Sequence, residues 1–297
     1  MVRKGTICYG LATLALALFG ARPAQAGPIT FTGTVAKDFN PVDPNVRVTA
    51  VTTNPDNIGE SKFILDNGWV SGWSIKDIRT SYDFKTDTLY VGINTFTNSK
   101  GVTSIVGDAD GNGDPGGASP QMAAAGGVDD AHLGGHKSVA VAFAPDGAHG
   151  PVSPGTPLLI AGVPADKSSA AQGTLDNFTV AHYRNVPLGL GDNFGQLITN
   201  NPGSLAFDPS AARPGFEFAI NHFSKTSGID PTRGFWIEAY AGSPDDVVAG
   251  EAALQLTRIG AFAPQGIPEP STVLSWSLVT AAGLFRLVMR KRRADRP

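Results

Sequence analysis

The chain has 297 residues, with 23 basic and 26 acidic side chains, 36 glycines, 22 prolines and one cysteine. Its basic residues gather at the ends: Arg3, Lys4 and Arg22 precede Gly27, and six follow Pro270 with Asp295 as the one acid in either segment, which leaves 14 basic against 25 acidic residues between them, a net charge of −11. So acidic a middle argues against nucleic acid as a partner and suits divalent cations, and with Cys8 confined to the first 26 residues no disulfide can staple it.

Arg3 and Lys4, the apolar run Ile7 to Phe19, and Ala24-Gln25-Ala26 before Gly27 have the three-part form of a secretory leader with a small-x-small cleavage site. Residues 1–26 are therefore expected to be a helical signal peptide cut after Ala26 by signal peptidase. The run is too short for a permanent span, and Cys8 precedes the apolar stretch, which argues against lipid attachment.

From Thr30 onward the pattern is β. Ile29 to Val35 alternates polar and apolar residues, and Val46 to Val51 does so more loosely. Trp69, Ser71, Trp73 and Ile75 share one face at period two, which predicts a strand whose tryptophans are core residues. Thr88 to Phe96 follows a turn around Lys85-Thr86-Asp87. Further strands are expected over Ser138 to Phe143, Pro157 to Val163, Phe178 to Tyr183, Glu217 to Ile220, Gly234 to Tyr240 and Ala252 to Ile259, with a turn at Asp146-Gly147. The best helical candidate in the middle region is a short turn near Gln121 to Ala125. Residues 27–263 thus read as one mostly β domain, a single jelly-roll-like β-sandwich with long Gly- and Asp-rich loops.

Asp108-Ala109-Asp110-Gly111-Asn112-Gly113-Asp114 carries the strongest chemical pattern. Oxygen side chains at positions one, three and five and glycine at six match the start of an EF-hand-like loop, and Asp114 at position seven would offer its carbonyl. Position twelve is Ser119, so the closing bidentate carboxylate must come from elsewhere, with Asp129 or Asp130 nearest. Pro115 with Gly116-Gly117 excludes an exit helix. The expected cofactor is structural calcium. His132 and His136 stand four apart, but Gly134-Gly135 disfavours the helix that would aim both at one metal, so that segment reads as a surface loop. Ser243-Pro244-Asp245-Asp246 reads as a solvated acidic turn or a minor cation contact. No nucleophile elbow, His-Glu-x-x-His or phosphate-binding loop occurs, and Glu217 with Glu238 could act as a glycosidase pair only if they were close in space, so no catalytic residue and no enzymatic activity is expected.

The order Trp73 to Ile78, Tyr82-Asp83 to Gly92, a metal-like loop, Ser138 to Phe143, then Pro214-Gly215-Phe216-Glu217-Phe218-Ala219-Ile220 before an aromatic strand resembles the DOMON and family-nine carbohydrate-binding sandwiches. That resemblance implies a carbohydrate-binding module, for which Trp69 and Trp73, if exposed instead of in the core, would be the sugar-stacking platform.

The last thirty residues determine the destination. Residues 264–271 form a Pro-rich linker containing Pro268-Glu269-Pro270, whose prolines fix φ and push the residues before them toward an extended form that a protease can grip. Residues 272–289 are 18 in number and largely apolar; at ~1.5 Å per residue they fall just short of a ~30 Å hydrocarbon core, and Arg286 can snorkel at the far end. Arg290, Lys291, Arg292 and Arg293 follow in residues 290–297, and basic residues at both ends place everything between them outside the cytoplasm. Pro-Glu-Pro, a short transmembrane helix and a basic cluster together resemble the PEP-CTERM sorting signal. This resemblance implies export through the inner membrane of a Gram-negative bacterium and recognition by the exosortase, a membrane protease-transpeptidase. The expected function is a structural or adhesive protein of the cell envelope, cell surface or extracellular biofilm matrix, in contact with extracellular polysaccharide; the alternative is the carbohydrate-binding module.

Overall fold

The computed structural model describes residues 28–51, 66, 70–97, 101, 103–108, 120–124, 138–146, 158–164, 178–184, 193–200, 203–207, 215–242 and 252–264. Residues Ala26–Ala263 form one compact unit. The expected signal peptide, Pro-Glu-Pro motif, membrane helix and basic tail lie outside the described residues. Among the described residues no helix is long and apolar enough to cross a membrane.

The chain is mostly β, in two antiparallel sheets. The strands are β1 (Val46–Ala50), β2 (Ile75–Asp83), β3 (Thr88–Thr95), β4 (Ser138–Pro145), β5 (Leu159–Val163), β6 (Thr179–Tyr183), β7 (Phe194–Leu197), β8 (Gly203–Ala206), β9 (Phe216–Ile220), β10 (Phe235–Gly242) and β11 (Ala252–Ile259). Sheet 1 has five strands in the order β1-β2-β3-β9-β8, and sheet 2 has six in the order β11-β10-β4-β5-β6-β7. Among the described residues are the short helices α1 (Val35–Asp38), α2 (Pro120–Ala124) and α3 (Phe223–Ser227) and a 3-10 turn, Pro231–Arg233.

Both sheets turn one face to a shared core. In sheet 1 the inward rows are Ile78, Ile93 and Phe216, then Val91 and Phe218, then Tyr82, Leu89 and Ile220; in sheet 2 they include Val141, Ala161 and Ala239, and Phe143, Leu159 and Ile237. Strand β10 alternates buried and half-buried residues, as a strand with one covered face should. Strands β2 and β3 are buried along nearly their whole length because their outer face is covered as well. The segment from Pro28 to Phe39 lies there, where Ile29, Phe31, Val35 and Phe39 pack with Val46, Tyr90 and Ala219. Gly92 makes this possible: a Cβ there would stand 2.8 Å from the Phe39 ring and from Val35 Cγ1.

At one end of the core, α3 inserts the fully buried Phe223 against Phe143 and Phe235, with ring centroids 5.6 and 5.4 Å away. Phe262 stacks on Phe235 at 6.1 Å, and Arg47 of β1 lies 5.1 Å over the Phe262 ring while donating to the Ala261 carbonyl at 2.8 Å. That contact ties the β1 edge to the segment after β11.

Two strand expectations are corrected. Ile29 to Val35 forms no strand: Gly33 adopts φ 75°, and the Thr32 amide and hydroxyl donate to the Asp38 carboxylate at 2.6 and 2.8 Å, so the local donors go to a side chain instead of a ladder. Ser71 to Ser74 is a turn, closed by the Ser74 amide on the Ser71 carbonyl at 3.0 Å, and β2 begins only at Ile75.

Candidate functional site

Of the expected calcium ligands, Asp108 lies among the described residues; Asp110, Asn112, Asp114, Asp129 and Asp130 lie outside them, as do His132, His136, Asp245 and Asp246. Asp108 is fully buried. Its carbonyl accepts from the Gly72 amide at 2.6 Å, and its amide donates to the Ile105 carbonyl at 3.0 Å. Only glycine fits at 72, since a Cβ would meet the Ile105 carbonyl oxygen at 1.7 Å. The Ser104 hydroxyl donates to the Val70 carbonyl at 2.6 Å, and Thr95 donates to the Ser104 carbonyl at 2.5 Å. The root of the Asp-rich loop is therefore anchored to the Ser71–Ser74 turn and to β3. Among the described residues no three histidine, cysteine or carboxylate side chains converge.

Trp73 is a core residue, 5% exposed and part of the cluster shared by the two sheets. It presents no face to a sugar. Trp69 lies outside the described residues.

Glu217 and Glu238 are not brought together. Both point away from the shared core, but from different sheets, since their neighbours Phe216, Phe218, Ile237 and Ala239 are the ones that fill it. Burial raises the Glu238 carboxyl. Burial also raises the Tyr183 hydroxyl, and the nearby Glu238 charge adds to this.

Glu217 is the more unusual group. It is fully buried under the Pro28–Phe39 segment, where one oxygen accepts from the Gly33 amide at 2.9 Å. The other oxygen finds no donor among the described residues. Burial pushes its carboxyl up to about 8; the Gly33 amide pulls the other way, and hydrogen bonding and repulsion from Asp38 raise it further. In its protonated form Glu217 can donate a hydrogen bond to Asp38. Nearby, Arg79 of β2 pairs with Asp77 at 2.8 Å and donates to the Phe39 carbonyl at 2.8 Å.

A second polar corner lies at the β2–β3 turn. Asp87 takes φ 54°, and its carboxylate accepts from the Tyr82 hydroxyl at 2.5 Å and from the Ser224 and Lys225 amides at 2.8 and 3.4 Å. Burial alone would raise Asp87, but the bonds from Tyr82 and the two amides outweigh it and hold the carboxyl below its ordinary value. Burial and then Asp87 push the Tyr82 hydroxyl up. This corner walls an open cleft of about 340 Å³ lined by Tyr82, Phe84, Ser224, Ile229, Asp230 and Thr232 among others. Phe84 is 36% exposed and stands edge-on to Tyr82 at 4.8 Å. One Asp230 oxygen is held by the Thr232 amide and hydroxyl at 2.9 and 2.7 Å.

Sequence reading missed both corners. Each joins residues far apart in the chain, 184 positions for Gly33 to Glu217 and 137 for Asp87 to Ser224. The available signal was a glutamate inside the apolar run Phe216–Ile220 and an aspartate in a tight turn. Comparison with protein-family models, with curated proteins and with solved structures yields no match.

Proposed function

We propose that this chain is an exported structural or adhesive protein of the surface or extracellular matrix of a Gram-negative bacterium, sorted by an exosortase-like transpeptidase. The observation that carries the reading is the tail: Pro268-Glu269-Pro270, the apolar residues 272–289 and Arg290 to Arg293, which resemble a PEP-CTERM signal. A compact mostly β unit over Ala26–Ala263, with leader-like and tail-like segments on either side, supports it. Its two sheets around one core are consistent with a jelly-roll-like sandwich ectodomain. The rigid root at Asp108 supports a calcium-ordered loop completed by Asp110, Asn112 and the Asp114 carbonyl, because an anchored end lowers the entropy lost when the loop closes on an ion. Fractionation of cells carrying Glu269→Ala tests the sorting step. Precursor held in the inner membrane supports it, and unchanged size and location overturn it.

The cleft at Tyr82 favours a second reading, a carbohydrate-binding module. A partly exposed aromatic ring beside a carboxylate and hydroxyls can pack against a sugar face and hydrogen-bond its hydroxyls. In this reading Phe84 and Asp230, and not the buried Trp73, contact the sugar. On a glycan array, sugar binding by wild type that is lost in Phe84→Ala with the fold intact favours the module; absence of binding by wild type removes it.

A further inference from the structure

We propose that the segment from Pro28 to Phe39 is a proton-locked strap: one proton shared between Glu217 and Asp38 holds it on the outer face of sheet 1, and loss of that proton at alkaline pH releases it. The geometry makes the lock specific. Gly33 is clamped from two sides, its amide donating to Glu217 at 2.9 Å and its carbonyl accepting from the Gly215 amide at 2.8 Å. Asp38 returns to the strap through the Thr32 amide and hydroxyl. Glu217 is fully buried, and its second oxygen has no donor among the described residues, so as a carboxylate it would hold an uncompensated charge beside Asp38. As a carboxylic acid, Glu217 can instead donate to Asp38.

Among the described residues the surroundings offer no other counter-charge. Opposite Glu217 lie Gly92 on β3 and Ala206 on β8, flanked by Tyr90 and Asn94 on β3. Beyond Gly92, Arg79 on β2 is already held by Asp77, which also accepts from Asn94 at 3.1 Å, and by the Phe39 carbonyl. Lys37 of α1 is exposed. A cation is a poor substitute for the proton, because the Thr32 and Gly33 amides both point their donors at this carboxylate pair.

The sign follows from linkage. Glu217 is raised in the closed state to about 8 from 4.5, so between these values the closed strap binds a proton that an open, solvated Glu217 has released. Closure is strongest below pH 4.5, weakens by at most about tenfold per pH unit, and reaches its weakest value once pH passes about 8. Release would uncover Gly92, Tyr90 and Ala219, the apolar floor on which Val35 and Phe39 sit.

Hydrogen exchange on the full-length protein in detergent tests this, with rates corrected for the intrinsic pH dependence of amide exchange. Protection at Gly33 and across Thr32–Phe39 is expected to fall more than tenfold from pH 6 to pH 9, while β4 and β10 keep theirs. Glu217→Gln mimics the protonated acid, accepting from Gly33 and donating to Asp38, and should keep the strap protected at both pH values. Asp38→Asn, which keeps an acceptor for Thr32 but removes the neighbouring charge, should shrink the pH effect and serves if Glu217→Gln does not fold. Equal wild-type protection at both pH values, or a fall of the same size in a folded variant, overturns the proposal.

Discussion

Phe39→Ala is expected to separate the strap from the two-sheet core. Phe39 is fully buried, and its ring sits where a Cβ on Gly92 would come within 2.8 Å. Truncating a buried phenylalanine costs ~3–5 kcal/mol when the surroundings cannot collapse. Here the strap is held on the outer face by few elements, so it can lift instead, and the loss is capped at the free energy of strap docking. Gly92→Ala perturbs the same contact from the other side by driving a methyl into the Phe39 ring. The two changes should therefore couple: once the ring is gone, the added methyl has less to strike, and the double variant should be more stable than the sum of the singles implies, by ~1 kcal/mol or more. Urea denaturation of the four proteins gives the coupling, and hydrogen exchange gives its place, with protection lost over residues 28–39 and retained in β4 and β10. Additive effects, or protection lost evenly through both sheets, would refute the reasoning.

Thr80 is fully buried, and its hydroxyl has no hydrogen-bond partner among the described residues, so Thr80→Val should leave stability unchanged or raise it by ~1 kcal/mol in denaturant titration; a marked loss would mean that the hydroxyl is engaged. Asp87→Ala removes the acceptor for Tyr82, Ser224 and Lys225 and should cost ~1–3 kcal/mol. Because Asp87 is held below its ordinary value, its contribution is present above the ordinary carboxylate range and is lost as pH falls through its lowered folded value; Asp87→Asn should show a shallower acid limb than wild type. Calcium bound at the Asp108 loop with a dissociation constant of ~10⁻⁴ to 10⁻³ M should, at tenfold excess, add ~1.4 kcal/mol and raise Tm by a few degrees. Asp110→Ala should abolish that rise, and an equal rise in both proteins would reduce the loop to a solvated turn.

Strands were legible where burial imposed a pattern. β10 shows period two because one face is covered, and β3, β4 and β5 read as largely apolar runs because both faces are, whereas β2, Ile75 to Asp83, is as buried yet mostly polar and gave no such run. β7 and β8 escaped notice because each is four residues long and partly exposed, with no alternation to read. Ile29 to Val35 misled for an informative reason: its apolar residues Ile29, Phe31 and Val35 contact the outer face of sheet 1, so the alternation in sequence serves that packing and not strand pairing. Trp73 is buried as expected, yet in a turn before β2, since tertiary packing and not strand alternation places it. The carboxyl pair was invisible from sequence because nothing local to Glu217 announces Asp38; only the register of β9 beneath the strap does.

Intact-mass spectrometry of the mature protein from cells with and without an exosortase tests the sorting tail most directly. A C-terminus near Pro270 is expected on the surface protein when the exosortase is present, and a longer, membrane-held chain when it is absent. A surface protein that retains the whole tail through Pro297 in exosortase-positive cells would contradict it.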